Sequence, residues 1–351
     1  MIIQMLSAEY GEAIVIRTMA GGKPFTIVVD GGPETTAENI VPILQDIGKI
    51  DLMVLTHFDE DHIMGIIKYV EQYVGEQLPV KMFWCNCAQK IDLTPGTLIS
   101  DTGYKNANTL ATFLRQQEKN PLEFTWTEDV TSKTTPFVKG DLRIDVLSPS
   151  VTVLKQLKEE YEKYVKEHEW SDVEDTGTEI ALVSYNPDKN KTIDELVKTD
   201  RSRRVNLWNK ASIAFLLQAE GKKILMLGDA DADIVADGLE SLIGKGNSID
   251  VDLVKLSHHG SKHNISKRLL ALINSYDYAI STNGGDVNFC HPDRKTLALV
   301  ARSAQRDPQR EVNFYFNYEI NKIEERTGTL MSVEEQRNER CNLIERATIE
   351  L

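Results

Sequence analysis

The chain has 351 residues, of which 41% are hydrophobic and 27% charged, and its 54 acidic against 40 basic residues give a formal charge of −14. This apolar content is enough for a substantial core, which excludes a globally disordered chain. The negative charge excludes a protein that binds polyanions through its overall charge, so nucleic acid could be held only through a local basic patch or bound cations.

Short runs rich in Val, Ile, Leu and Phe alternate with helix-period segments along most of the chain, which predicts an α/β (α+β) protein with helices covering sheets. The amino terminus reads as a strand, a turn and another strand. The predicted strands are 13–18, 25–29, 52–56, 80–85, 142–147, 180–184, 212–218, 223–227, 253–257, 278–281 and 312–316. The predicted helices are 36–47, 63–73, 106–119, 231–243, 265–275 and 293–304.

Residues 151–170 interrupt this rhythm as a charged amphipathic helix, followed by an acidic stretch at 171–179 and a basic stretch at 186–210. We interpret the segment at about 151–208 as an insertion into one domain, residues 1–335, rather than as a second domain. Residues 336–351 are predicted to be a carboxy-terminal extension, and a strand-like run lies near 328–333.

No run reaches the roughly 18 consecutive apolar residues of a membrane helix. The amino terminus lacks the basic start and cleavage site of a signal peptide, so no membrane partner and a cytoplasmic location are expected. Four cysteines suit a reducing compartment. Cys85 and Cys87 are read as buried strand neighbours, with a soft metal pair as the alternative.

The placement of histidine is the main clue to function. Six of the seven histidines lie in three short segments, each at or soon after the end of a predicted strand. Side chains at strand ends are where α/β folds commonly present chemistry. The three segments contain His57 and His62; His258, His259 and His263; and His291.

The first segment, His57-Phe58-Asp59-Glu60-Asp61-His62, follows an apolar strand. Two imidazoles and two carboxylates within six residues suit a divalent cation, which takes neutral nitrogen and anionic oxygen donors. The alternative is an acidic helix amino terminus that favours the helix dipole, but it leaves the two histidines unexplained.

Two later strand ends carry further candidates. Asp229 follows the strand at 223–227, where it could bridge two cations or simply cap a helix. His258 and His259 follow the strand at 253–257 and precede Gly260 and Ser261. They could ligate metal or be ordinary loop histidines.

In their order along the chain, the HxDxDH segment at 57–62, the Gly-Asp at 228–229 and the HHGS at 258–261 resemble the metallo-β-lactamase superfamily. More narrowly, they are similar to the branch containing the metallo-hydrolase domain of ComEC-type DNA-uptake proteins. The resemblance covers about residues 1–335 and implies a four-layer αββα sandwich with a two-metal site at one edge of its paired sheets. Further matches to the branch are Gly11-Glu12-Ala13, Asp30-Gly31-Gly32, Leu147-Ser148-Pro149, Asn283 and His291-Pro292.

The resemblance also implies the role of each ligand. His57 and Asp59 would bind a first ion, Asp229 would bridge, and Asp61, His62 and His258 would bind a second ion. We prefer His258 over His259 because it lies nearer the strand end. The chain departs from the commonest pattern in carrying Asp59 where a histidine is usual. It also has Asn209 where most members have another histidine.

These departures shift the donors of the first ion from nitrogen towards oxygen. We therefore expect one or two divalent ions, Zn²⁺ or Mn²⁺, with Mn²⁺ or Mg²⁺ favoured at the first position. Whether Asn209 contributes its carbonyl oxygen, and whether His259 ligates, stays open at this point.

Asp61, His291 and Ser261 are the candidate catalytic residues. His291 could protonate a leaving oxygen or contact a phosphate, or it could be a loop histidine. Ser261 could face substrate or cap a helix. Lys262, Lys267 and Arg268 beside the metal loop suggest an anionic substrate, although such runs are usually solvated.

By analogy with the ComEC-type domain, we expect a metal-dependent phosphodiesterase or nuclease acting on nucleic acid or nucleotides. The alternatives are a small-molecule hydrolase that cleaves a lactone, ester or β-lactam, and a non-catalytic metal-binding module. No protein partner can be predicted from the sequence.

Overall fold

A computed structural model describes residues 1–86, 102–118, 124–168, 188–200, 205–285 and 290–351. The predicted strand at 180–184, the acidic stretch at 171–179 and Cys87 lie outside these ranges. No helix within the described ranges is both long and apolar enough to cross a bilayer.

The strands, in chain order, are β1 (Ile2–Met5), β2 (Ile14–Ala20), β3 (Lys23–Val29), β4 (Ile50–Val54), β5 (Val80–Trp84), β6 (Thr125–Thr127), β7 (Phe137–Lys139), β8 (Leu142–Ser148), β9 (Ala214–Ala219), β10 (Lys222–Met226), β11 (Ile249–Asp250), β12 (Leu253–Lys255), β13 (Ile273–Asn274), β14 (Asp277–Ile280), β15 (Val312–Phe316), β16 (Cys341–Glu345) and β17 (Thr348–Glu350). The helices are α1 (Ala37–Ile47), α2 (Glu60–Glu71), α3 (Thr102–Gln117), α4 (Val151–His168), α5 (Ile193–Leu196), α6 (Leu207–Lys210), α7 (Ala232–Ile243), α8 (Lys267–Ala271), α9 (Arg294–Ala301), α10 (Ile320–Thr327) and α11 (Val333–Glu339).

Two large sheets organise the chain. In the described residues, the first sheet has the order β17-β1-β2-β3-β4-β5-β6, and the second has the order β16-β15-β14-β12-β10-β9-β8-β7. The first sheet starts as a meander because the two-residue Gly21-Gly22 turn, with φ of +59° and +74°, reverses the chain between β2 and β3. It then becomes parallel from β3 to β6 through the helical crossovers.

Apolar side chains of the two sheets meet in a shared core. Ile27 and Leu52 of the first sheet are fully buried there, as are Phe215, Ile224 and Leu253 of the second. This face-to-face packing encloses one side of each sheet, because strand side chains alternate between the two faces.

Helices cover the outer faces of both sheets. Helices α1, α2 and α3 pack on the first sheet through residues that include Leu44, Ile66 and Leu110. Helices α7, α8 and α9 pack on the second sheet, with Val235 and Leu299 in that core. The result is the four-layer αββα sandwich, so the predicted fold class is confirmed.

The carboxyl-terminal residues extend the sheets. Strand β16 pairs parallel to β15, and β17 pairs antiparallel to β1 with Ile3 opposite Ile349. The segment set apart as an extension, 336–351, thus supplies an edge strand to each sheet. Periodicity alone could not reveal a pairing between the two ends of the chain.

The prediction of a strand near 328–333 is wrong. Ser332 instead caps α11 in this stretch, where its side chain accepts a hydrogen bond from the Glu335 backbone and the Glu335 carboxylate accepts one from the Ser332 N–H. This capping box starts a helix rather than a strand.

The strand order brings distant residues to one edge of the sandwich. The parallel strands β3 and β4 end just before Asp30 and His57, and the parallel strands β10 and β12 end just before Asp229 and His258. Carboxyl ends of parallel strands lie at the same edge of a sheet, so this topology gathers the candidate residues.

Candidate metal centre

Asp229 lies at the middle of the gathered side chains, and its side chain is 2% exposed. Its Oδ1 is 3.6 Å from His62 Nε2, while its Oδ2 is 3.7 Å from His57 Nε2 and 3.6 Å from His258 Nε2. The two carboxylate oxygens therefore face different histidines, as expected of a residue able to bridge two cations.

Two groups of donor atoms can be distinguished around Asp229. We call His57, Asp59 and Asp229 Oδ2 the first half-site, in which His57 Nε2 is 3.4 Å from Asp59 Oδ2. We call Asp61, His62, His259 and Asp229 Oδ1 the second half-site. There Asp61 Oδ2 is 3.6 Å from His62 Nε2 and 3.3 Å from His259 Nε2.

The spacing of these atoms suits a cation. Donor atoms about 2.1 Å from one ion at the tetrahedral angle lie about 3.4 Å apart, which is close to the separations above. The ligand atoms of His57, His62 and Asp229 all lie within 4.8 Å of one another, as do those of Asp61, His62 and His259.

The donors that point into the centre are short of hydrogen bonds. His57 Nε2, His62 Nε2, His259 Nε2 and Asp229 Oδ1 are buried, and none has a hydrogen-bond partner among the described residues. Leaving buried polar atoms unsatisfied costs free energy, which a shared cation would recover. The residues present therefore fit one or two divalent ions.

Hydrogen bonds at the opposite ring nitrogens orient these imidazoles. Asp30 Oδ2 lies 2.8 Å from His62 Nδ1, and the backbone oxygen of Ser281 lies 2.7 Å from His259 Nδ1. Thr56 Oγ1 donates to Asp30 Oδ2, so it is left to accept from His57 Nδ1 at 3.1 Å. Each Nδ1 thus carries a proton, so Nε2 is the nitrogen that each ring would present to a cation.

The charges of the centre shift the pKa values of its members. Burial lowers the pKa of His57, but the nearby Asp59 carboxylate raises it more, to about 10. Burial raises the pKa of Asp229 well above its ordinary value. Burial lowers the pKa of His62 to about 4, and the charge of His57 adds to that effect. Protons thus concentrate on His57 and Asp229, where metal binding would displace them.

From the sequence we prefer His258 for the second half-site, but the geometry favours His259. His259 faces Asp61, whereas His258 faces Asp229 Oδ2. Both residues adopt left-handed backbone, with φ of +49° and +53°, and their ring planes differ by 74°. Two successive left-handed residues turn the rings to different donors, which distance from the strand end could not foretell.

Asn209 lies close to the centre without facing Asp229. Its side-chain Nδ2 is 3.2 Å from His258 Nδ1, and its Oδ1 is buried with no hydrogen-bond partner among the described residues. The residue that stands in place of a usual histidine thus contacts a ligand candidate of the next loop.

His291 lies beside the centre. Its ring centroid is 5.1 Å from that of His258, and its Nδ1 is 3.6 Å from Asp293 Oδ2. Lys262 also approaches Asp293, with Nζ 3.1 Å from Oδ1. Burial raises the pKa of Asp293, but His291 and Lys262 lower it more, so this carboxylate stays ionised. An ionised carboxylate therefore lies near one ring nitrogen of His291, just beyond hydrogen-bond distance.

Ser261 does not take the position expected of a catalytic residue. It is 1% exposed, its N–H donates to the His258 carbonyl, and its hydroxyl oxygen accepts from the His263 N–H. These bonds favour the alternative of a serine that stabilises the turn.

The basic side chains near the centre are largely neutralised. Lys262 pairs with Asp188 and Asp293, and Arg268 pairs with Asp237 and Glu240. Three members of the basic stretch, Arg201, Arg203 and Arg204, lie outside the described residues. Among the described residues, carboxylates that lie far away in the sequence pair with basic side chains and reduce the expected positive charge.

Sequence reasoning missed the supporting role of Asp30 and Asn264. Asp30 was noted only as part of an Asp-Gly-Gly match, yet it accepts hydrogen bonds from Thr56 and His62. Asn264 Nδ2 donates to the Asp229 carbonyl at 2.8 Å. The position of Asp30, a polar residue directly after a buried strand, is the feature of the sequence that could have identified it.

Comparison with known families supports the resemblance drawn from the motifs. Residues 9–135 match the sequence model of the metallo-beta-lactamase superfamily. The matched part contains the segment from His57 to His62 and ends before Asp229 and the two adjacent histidines. No curated protein matches the chain.

Solved structures similar to this chain include the following three proteins. The metallo-beta-lactamase fold protein YhfI from Bacillus subtilis has 9% identity and a TM-score of 0.42, with 98% of this chain and 95% of that chain covered. Zn²⁺-bound PqqB from Methylobacterium extorquens has 10% identity and a TM-score of 0.42, with both chains covered completely. A diphosphatase of the PhnP family has 8% identity and a TM-score of 0.40, with 100% and 97% covered. Identities this low leave the substrate of the present chain open.

Proposed function

From the match of residues 9–135 to the metallo-β-lactamase superfamily, we propose that the protein is a metal-dependent hydrolase acting on phosphodiesters of nucleic acid or nucleotides. One observation carries the metal-dependent part: buried nitrogen and oxygen atoms from three separate strand ends, without hydrogen-bond partners among the described residues, converge around Asp229. Such convergence is costly without a cation.

The residues of the two half-sites would hold one or two divalent ions. When bound, these ions lower the pKa of water near them and neutralise negative charge that develops on the substrate. Asp30, Thr56 and the Ser281 carbonyl keep the imidazole lone pairs aimed inward. The carboxylates of Asp59, Asp61 and Asp229 make the set rich in oxygen, which favours Mn²⁺.

His291 is our candidate for the proton donor to the leaving oxygen. It lies beside the half-sites, and its side chain is 14% exposed, so it is accessible from the centre's open side. The ionised carboxylate of Asp293 lies 3.6 Å from His291 Nδ1, on one side of the ring. A phosphodiester requires such a donor because an alkoxide is a poor leaving group.

The finer relationship to the ComEC-type branch is part of the proposal. It is supported by contacts of the Gly11-Glu12-Ala13 match: the Glu12 N–H donates to the Asp61 carbonyl, and the Glu12 carbonyl accepts from Gly32. This loop therefore supports the metal-binding segment directly. From this branch we carry over the hydrolytic chemistry alone.

A second candidate is a small-molecule hydrolase acting on an ester, lactone or β-lactam. The pairing of Lys262 and Arg268 with carboxylates favours it, because these two side chains are then less available to bind a polyanion. The chemistry of the metal centre would serve either substrate class.

Hydrolysis of bis-p-nitrophenyl phosphate, single-stranded DNA and RNA after chelation and reloading tests the proposal. We expect no activity in the chelated protein and recovery with Mn²⁺, because the donors require a cation to act. Equal recovery with Zn²⁺ alone would contradict the preference for Mn²⁺. Cleavage of esters or lactones without any phosphodiester would favour the second candidate. A bound cation with no hydrolysis of any substrate would indicate a non-catalytic metal-binding module.

Replacing His291 by Ala is expected to slow cleavage by an amount that depends on the leaving group of the diester. Diesters that release an alkoxide should be cleaved about 10²–10⁴-fold more slowly, since general acid catalysis is lost. Diesters that release p-nitrophenolate should change little, because this anion departs unprotonated. Parallel kcat measurements on the two diesters check the prediction, with His263→Ala as the control in a neighbouring loop. Equal slowing of both reactions would contradict a proton-donor role.

A further inference from the structure

We propose that His258 is a metal ligand of the first half-site, in place of the imidazole that the chain lacks at Asn209. The inference rests on the proposed metal-dependent function and assigns one residue within it. The adjacent histidines 258 and 259 would then serve different ions, one in each half-site. Asn264 would act as a positioning residue for His258.

The placement of His258 is the first observation. Its Nε2 is 3.6 Å from Asp229 Oδ2, and His57 Nε2 is 3.7 Å from that same oxygen. His259 Nε2 instead faces Asp61. The left-handed backbone at both residues sets the two ring planes at 74° to each other, and the rings face different carboxylates.

Asn264 determines which nitrogen of His258 carries the proton. Its Nδ2 donates to the Asp229 carbonyl at 2.8 Å and lies 3.4 Å from the Ala230 carbonyl, so this end of the amide must be the donor. Its Oδ1 then faces His258 Nδ1 at 3.2 Å and can only accept. The proton of a neutral His258 therefore lies on Nδ1, and its Nε2 lone pair points at Asp229.

A lone pair that faces a carboxylate oxygen is stabilised when a cation, or in the metal-free protein a proton, lies between the two atoms. The separation of 3.6 Å is close to the roughly 3.4 Å between two ligands of one ion. Supporting acceptors at Nδ1 are a regular feature of metal-binding histidines. His258 thus has the same arrangement as His57, His62 and His259.

Asn209 supports the same ring. Its Nδ2 lies 3.2 Å from His258 Nδ1, while its Oδ1 is buried with no hydrogen-bond partner among the described residues, so the proposed tautomer has this amide turned with its oxygen towards Nδ1 as a second acceptor. Asn209 is 3% exposed, so its amide is confined beside the ring. The residue that replaces the usual histidine therefore helps to hold the histidine that substitutes for it.

Metal titration of the full chain tests this assignment. Mn²⁺ binding to the chelated protein would be followed by isothermal titration calorimetry and by EPR of the free ion. We expect His258→Ala to weaken one binding step by more than about 100-fold, because loss of a supporting residue alone costs 10–100-fold. His263→Ala, in the same loop, should bind as the wild type does, and added imidazole should restore part of the affinity of His258→Ala.

A second measurement uses the unaltered protein and does not depend on the variant folding. In protein labelled with ¹⁵N-histidine, Zn²⁺ should shift the Nε2 resonance of His258 together with those of His57, His62 and His259, and should leave that of His263 in place. Wild-type affinity in His258→Ala, or a His258 resonance that behaves like that of His263, would overturn the inference alone. A wild-type protein that binds no divalent ion would overturn the proposed function as well.

Discussion

Replacing Asp229 by Asn is expected to remove tight binding of at least one cation and to lower kcat/KM by more than about 10³-fold, which corresponds to several kcal/mol of lost charge stabilisation. The two oxygens of Asp229 face histidines of both half-sites, at 3.6 and 3.7 Å. Asn offers one oxygen and one NH₂ group, which would point a donor at a cation position. Calorimetric metal titration and steady-state kinetics measure the two effects.

The fold should survive this change. The Asp229 backbone is held independently of its carboxylate, since its N–H donates to Ser212 and its carbonyl accepts from Asn264. Because burial already disfavours the ionised carboxylate, the metal-free Asn variant should melt at or above the temperature of the metal-free wild type.

Asp231→Asn is the matched control. Asp231 is also buried, but its carboxylate accepts from the Asp233 and Ile234 N–H groups at the start of α7, and Asn caps helices equally well. Metal binding should not change. Wild-type metal affinity in the Asp229 variant would contradict the bridging role.

Replacing Lys255 by Met is expected to destabilise the protein by about 3–5 kcal/mol. Lys255 and Glu12 have side chains that are 1% and 0% exposed, and they form an ion pair between segments 243 residues apart. Loss of the ammonium group would leave the Glu12 carboxylate buried without a counter-charge. Urea denaturation measures the change in the free energy of unfolding.

The double variant Glu12→Leu/Lys255→Met separates the two contributions. It removes both charges at once, so its stability should return to within about 1 kcal/mol of the wild type. Lys322→Met is the exposed control, because Lys322 and Glu319 are each 62% exposed and their pair contributes little. A single variant no less stable than the double variant would contradict the role of the pair.

This pair also connects the two loops that carry ligand candidates. Glu12 donates its N–H to the Asp61 carbonyl, and Lys255 is the last residue of β12, just before the histidine pair. The Nζ of Lys255 also donates to the Leu256 carbonyl. Weakening the ion pair between Lys255 and Glu12 should therefore disturb the second half-site as well as lower the free energy of unfolding.

The resemblance of the motifs to a known family predicted the layers, and the positions of the histidines and aspartates predicted which side chains gather at one edge. Alternating apolar runs predicted the main described strands, and histidines and aspartates at strand ends predicted the cluster around Asp229. Strand pairing brings such ends together whatever their distance in sequence, so local patterns were informative here.

What the sequence could not give depends on backbone conformation and on non-local contacts. The exchange of His258 and His259 follows from left-handed φ values. The pairing of Lys262 with Asp188 joins residues 74 positions apart. The pairing of β17 with β1 joins the two ends of the chain. Each is settled by tertiary structure rather than by propensity.

The central claim, that imidazoles and carboxylates from separate strand ends hold a cation, is tested most directly by the metal-to-protein ratio of the wild type. The protein would be chelated, reloaded with Mn²⁺ or Zn²⁺, freed of excess ion and measured by elemental analysis. We predict one or two ions per chain in the wild type and at least one fewer in Asp229→Asn. A wild-type chain that retains no divalent ion, while remaining folded, would contradict the account.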